Sequence, residues 1–111
     1  MNAPNGDEIV LVFCTAPDLE TARRLARMAV EQRLAACANV APGLTSIYTW
    51  EESLHEEREA LILFKTRASC FDALAAALAK AHPYQVPEIL AVPAARIHGP
   101  YRDWVLAGSG A

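Results

Sequence analysis

The sequence predicts an α+β domain in which helices cover one face of a four-stranded antiparallel sheet. Three observations predict it. Apolar, largely β-branched runs recur at Ile9–Cys14, Ala60–Phe64 and Ile89–Val92, each bounded by turn residues. Two segments with helical apolar spacing lie between them, one after Asp18 and one after Ser69. The resulting order is strand, helix, strand, strand, helix, strand, that of a split βαβ unit.

Each element has its own local reason. Ile9-Val10-Leu11-Val12-Phe13-Cys14 is apolar throughout, as a strand covered on both faces requires. Thr15-Ala16-Pro17-Asp18 follows, where either Thr15 or Asp18 supplies a helix N-cap. Leu19, Ala22, Leu25, Ala26, Ala29 and Val30 then form one stripe, with Arg23, Arg24, Arg27 and Glu31 opposite. Leu34 to Asn39 leads into Val40-Ala41-Pro42-Gly43-Leu44, where Pro-Gly predicts a break or bulge in extended chain. Thr45 to Trp50 is rich in strand formers, and Glu51 to Glu57 is charged enough for an exposed hairpin tip. Glu59 to Lys65 returns as a second two-sided strand. Ser69 with Asp72 marks a helix start. Phe71, Leu74, Ala75 and Leu78 supply its buried stripe, and His82-Pro83 ends it. Val86 to Ala95 predicts the last long strand, and Tyr101 to Leu106 a short terminal helix. A disordered lead over 1–8, one domain over 9–107 and a tail over 108–111 follow.

The element order is that of the ferredoxin-like fold, whose two long helices leave one sheet face open. Here 53% of the 111 residues are hydrophobic and only 21% charged, more apolar surface than one small core hides. An open face that apolar is an aggregation hazard unless it is an interface, so self-association through the sheet faces is expected. Net charge is −3 with basic residues dispersed, which argues against nucleic acid or an acidic membrane as partner. No apolar run approaches the ~20 residues of a membrane span. Residues 1–8 have neither the basic start nor the apolar centre of an export signal. The three cysteines, Cys14, Cys37 and Cys70, are odd in number and widely spaced, as reduced thiols of a cytoplasmic protein would be.

Chemistry concentrates in Ala81-His82-Pro83-Tyr84-Gln85-Val86-Pro87-Glu88, which brings an imidazole, a phenol, a carboxamide and a carboxylate together on a constrained backbone. Cys14 and His82 suit copper or zinc by ligand softness, with a third donor from Glu88, Tyr84 or another subunit. Cys14 equally suits a small buried hydrophobe, and His82 a helix-terminal residue favoured by the dipole. Cys37 and Cys70 read as packing or surface. His98 reads as solvated in a turn. Glu51, Glu52, His55, Glu56, Glu57 and Glu59 read as a solvated tip, without the turn glycine of a tight cation loop. Tyr48, Trp50, Tyr84, Tyr101 and Trp104 are interface anchors or walls of a pocket between subunits. Lys65 either joins Tyr84 or Glu88 of another subunit around an anion or reaches to water from a strand end. Trp50, Lys65, Tyr84 and Glu88 are thus the candidate pocket set.

Several segments resemble the CutA family of divalent-cation tolerance proteins. They are Cys14-Thr15-Ala16-Pro17-Asp18, Leu34-Ala35-Ala36-Cys37-Ala38-Asn39-Val40-Ala41-Pro42-Gly43, Ser46-Ile47-Tyr48-Thr49-Trp50-Glu51, Lys65-Thr66 and His82-Pro83-Tyr84-Gln85-Val86-Pro87-Glu88. The likeness runs from about Ile9 to Leu106 with every motif in order. It implies a ferredoxin-like homotrimer whose strands pair edge to edge between subunits, and a link to copper or another divalent cation. The resemblance implies Cys14 and His82 as metal ligands, while Ala81 stands where a first family histidine would be. The expected function is therefore a non-catalytic, cytoplasmic trimer of metal tolerance that binds copper- or zinc-type ions weakly. Two alternatives remain open: a small-molecule signalling module with clefts between subunits, resembling PII proteins, and a scaffold for an unknown protein partner. An enzyme is not expected, since only His82 with Glu88 or Tyr84 could do acid–base work and nothing suggests a substrate.

Overall fold

A computed structural model describes residues 6–110. Its elements are β1 (Ile9–Ala16), α1 (Leu19–Glu31), β2 (Cys37–Trp50), β3 (Ser53–Arg67), α2 (Phe71–Ala81), β4 (Leu90–Pro93) and α3 (Gly99–Gly108). The four strands make one antiparallel sheet in the order β2-β3-β1-β4.

Register sorts the apolar residues between two faces. Val12 pairs with Phe64 and Ala91, and Cys14 with Ile62. Val10, Val12, Cys14, Ala16, Ile62 and Phe64 join Leu25 and Ala29 of α1 and Leu74 and Leu78 of α2 in one buried core, while Ala91 on the edge strand stays exposed. The alternate residues Leu11, Phe13, Leu61, Leu63, Leu90 and Val92 share the other face and are only partly covered. Asp18 caps α1 by accepting the Thr21 N–H at 2.7 Å. The two ends of the α1 stripe, Leu19 and Val30, are exposed.

The third helix departs from the expectation that helices occupy one face only. Ile9 and Arg67 belong by register to the second face, and α3 lies over that end of it. Arg67 donates to the Leu106 carbonyl and to Ser109 Oγ, and Ile9 is buried. Gly108 approaches Ala36 so closely that a Cβ there would meet the Ala36 Cβ at 2.9 Å.

Other boundaries also move. The Pro42-Gly43 break is a register shift between Ala41 and Leu44, with Gly43 at φ 80. Glu51 and Glu52 turn the hairpin with positive φ, so β3 starts at Ser53, well inside the segment expected as its tip. A short 3-10 turn, Ala68–Cys70, precedes α2 in place of a Ser69 side-chain cap. The last strand spans Leu90–Pro93 rather than 86–95, because Pro87 offers no N–H to a ladder. Of the lead expected over 1–8, residues 1–5 lie outside the described residues. Gly6 and Glu8 are tied in: their carbonyls accept the Ser69 and Ala68 N–H groups. The expected tail is also held, with Ser109 buried and Gly110 bonded to Arg33 in both directions; residue 111 lies outside the described residues.

Candidate functional site

The end of β1 and the end of α2 meet at a single backbone oxygen. The Cys14 side chain points into the helix-covered core and is fully buried, and its Sγ donates to the Thr15 carbonyl at 3.7 Å. His82, the C-cap residue of α2, brings Nε2 to that same carbonyl at 2.7 Å. Its Nδ1 accepts the Tyr84 backbone N–H at 3.0 Å. An amide N–H can only donate and a carbonyl can only accept, so the ring carries its proton on Nε2. Both imidazole nitrogens are therefore engaged, and the Pro83 turn is fixed around them.

Electrostatics keep the sulfur protonated. Burial pushes the Cys14 thiol up to about 12, and the Glu88 and Glu59 carboxylates add to the effect. Tyr84 stacks at a tilt against His82, with centroids 4.8 Å apart, and its hydroxyl donates to Glu59 Oε2 at 2.7 Å. Burial first and the Glu59 bond second raise the Tyr84 hydroxyl well above the usual phenol range. Nearby, Tyr48 stacks on His55 and donates to Glu57 at 3.1 Å.

These groups border a cavity of about 600 Å³ whose lining includes Thr15, Tyr48, Trp50, Glu59, Tyr84 and Glu88. Three members of the sequence-derived pocket set, Trp50, Tyr84 and Glu88, thus share one space. Lys65 does not line it: it sits farther along β3, opposite Leu11 and Cys37. Glu59, expected on the solvated tip, is instead buried beneath Tyr84. No local signal marks it, because the partner that covers it lies 25 positions away in the chain. Cys70 is buried, Cys37 half-buried and His98 exposed. Among the described residues, no three His, Cys, Asp or Glu side chains gather closely enough to hold a metal ion. Copper or zinc at Cys14 and His82 would have to displace the thiol proton and one of the histidine hydrogen bonds.

Residues 10–107 match the model of the CutA1 divalent ion tolerance protein family, a span that takes in Cys14, His82 and the whole cavity lining. The chain belongs to the CutA1 family. It is 45% identical over 104 residues to the divalent-cation tolerance protein CutA of Thermus thermophilus, covering 94% of this chain and 99% of that one. The crystal structure of CutA1 from the psychrotrophic bacterium Shewanella sp. SIB1 superposes with a TM-score of 0.91 at 33% identity, over 99% of this chain and 100% of that one. The CutA structure from Archaeoglobus fulgidus, described as periplasmic, superposes at 0.85 with 33% identity, over 87% and 94% of the two chains. CutA proteins are named for divalent-cation tolerance and not for a reaction. Among the described residues of this CutA chain, no helix is long and apolar enough to cross a membrane.

Proposed function

We propose that the protein is a non-catalytic, cytoplasmic divalent-cation tolerance protein, a ferredoxin-like homotrimer that takes copper- or zinc-type ions weakly through Cys14 and His82. The observation that carries this reading is the convergence of thiol and imidazole on the Thr15 carbonyl, at 3.7 and 2.7 Å. Two soft donors from distant parts of the chain are thereby within reach of one another, with the Glu88 and Glu59 carboxylates near enough to act on the thiol. Weak binding follows from the cost of freeing them. The thiol must lose a proton it holds up to about 12, and the ring must give up a hydrogen bond. The trimer is supported by the half-covered apolar face, which a single protomer leaves facing water.

Calorimetric titration of the apo-protein with Cu(II) and Zn(II) tests the site. Wild type gives a weak saturable isotherm that strengthens as pH rises, because binding releases the thiol proton. Cys14→Ser and His82→Ala each abolish it. An isotherm unchanged in the double variant removes the pair from the reading. Sedimentation at micromolar concentration tests the assembly, and a lone protomer would overturn it. The cavity beside Tyr84 favours a second reading, a small-molecule module with its ligand site between subunits.

A further inference from the structure

Glu59 is a buried side chain with no ion-pair partner among the described residues. It is 8% exposed. Its hydrogen bond comes from the uncharged Tyr84 hydroxyl and uses only Oε2. Among the described residues no lysine, arginine or histidine forms an ion pair with it. A carboxylate withdrawn from water is costly without a counter-charge. The other oxygen, Oε1, has no hydrogen-bond partner among the described residues and is not fully sealed in protein, and Glu59 lines the cavity. A second carboxylate, Glu88, borders the same space, and among the described residues no lysine or arginine does.

The walls narrow the occupant. Tyr48, Trp50 and Tyr84 present aromatic surface, which attracts a cation to ring faces. At about 600 Å³ the cavity is far larger than a bare ion needs and falls in the range of small-molecule sites. Among the described residues, no group of three His, Cys, Asp or Glu side chains assembles there for a metal. We propose that this cavity binds a small organic cation, a protonated amine whose ammonium group donates to Glu59 Oε1 while its carbon chain lies against Tyr48 and Trp50. A second ammonium group, as in a diamine, meets Glu88. The Tyr84 hydroxyl stays a donor to Oε2 at 2.7 Å, which leaves Oε1 for the ammonium group. This inference deepens the small-molecule reading and is independent of any metal at Cys14 and His82.

The test is calorimetric titration of the full chain, freed of metal with a chelator, using putrescine as probe and succinate as its doubly anionic counterpart. Putrescine binds saturably, succinate does not. Glu59→Gln weakens binding about tenfold or more through loss of a charge-assisted hydrogen bond. Trp50→Ala and Glu88→Gln, both at exposed positions, weaken it too and keep the test open should Glu59→Gln fail to fold. Putrescine affinity unchanged in all three variants overturns the proposal, as does the absence of saturable putrescine binding. Saturable succinate binding instead leaves a small-molecule site but overturns the cation assignment. Loss of copper binding in Cys14→Ser with putrescine binding intact supports it as a separate site.

Discussion

Val12 and Phe13 are neighbours in the chain and sit on opposite faces of the same strand. Val12 is wholly buried under α1 and α2, whereas Phe13 is only partly covered. The same contrast holds one strand over, between Phe64 and Leu63, which pair with them in register. Two faces of equal apolar character thus differ in what covers them. One is completed by this chain's own helices, and the other only at the end where α3 lies across Ile9 and Arg67. The difference teaches that apolar patterning on the second face exceeds the cover one protomer supplies, an excess that the proposed self-association accounts for.

Alanine substitutions on the two faces break or sharpen that contrast most directly. Phe64→Ala empties a fully buried site and is expected to lose about 3–5 kcal/mol. Leu63→Ala in an isolated protomer costs about 1 kcal/mol, typical of a half-covered position. In the proposed trimer the two values converge, and the Leu63 effect grows with protein concentration because assembly and folding are linked. Urea unfolding at high and low concentration reads both.

The covered end of the second face gives the next largest effect. Gly108→Ala places a Cβ 2.9 Å from that of Ala36, too close for either backbone to accept. Lifting α3 or shifting the Leu34–Ala36 segment is expected to cost about 1–3 kcal/mol. Thermal unfolding measures it, and Trp104 fluorescence reports whether α3 is what moved.

Much of this architecture was legible because alternation and helical spacing are local. The core stripe, the Pro42-Gly43 bulge and the cluster at His82 could all be read from neighbouring residues. Glu59 could not. Its burial depends on the β3 register and on Tyr84 reaching back across 25 positions, neither of which is written in local pattern. Lys65 stays apart from the cavity of its own protomer for a plain metric reason, and its expected place beside Tyr84 or Glu88 of another subunit is a separate matter. Six residues of extended β3 separate it from Glu59, about 20 Å along a strand. The extent of β4 was misread because Val86 and Ile89 look strand-like, while Pro87 and the bonds that curl Tyr84 around His82 prevent pairing.

Cys14 sharpens the contrast from the buried side. Its thiol, ordinarily near 9.0, is pushed up to about 12 by burial, with Glu88 and Glu59 adding to the effect. Stability is fully present below about pH 9 and falls as pH rises toward about 12, because the unfolded chain loses the proton first. Cys14→Ala flattens that alkaline slope in urea unfolding.

The smallest effect is at the start of α1, the helix that finishes the buried face. Asp18 is exposed, and its carboxylate accepts the Thr21 N–H at 2.7 Å, which holds it below its ordinary value of 3.8. A depressed carboxyl contributes stability above its unfolded value and loses it as pH falls through the folded one. Asp18→Asn keeps the cap but removes the charge, so its acid limb is flatter than that of wild type. Asp18→Ala lowers stability at neutral pH because the Thr21 N–H loses its side-chain partner. The shift stays small because Ala22, Leu25, Ala26 and Ala29 hold α1 to the sheet regardless of its cap. A melting-temperature drop from Asp18→Ala as large as that from Gly108→Ala would mean that the finished face depends on its helix ends more than on its packing.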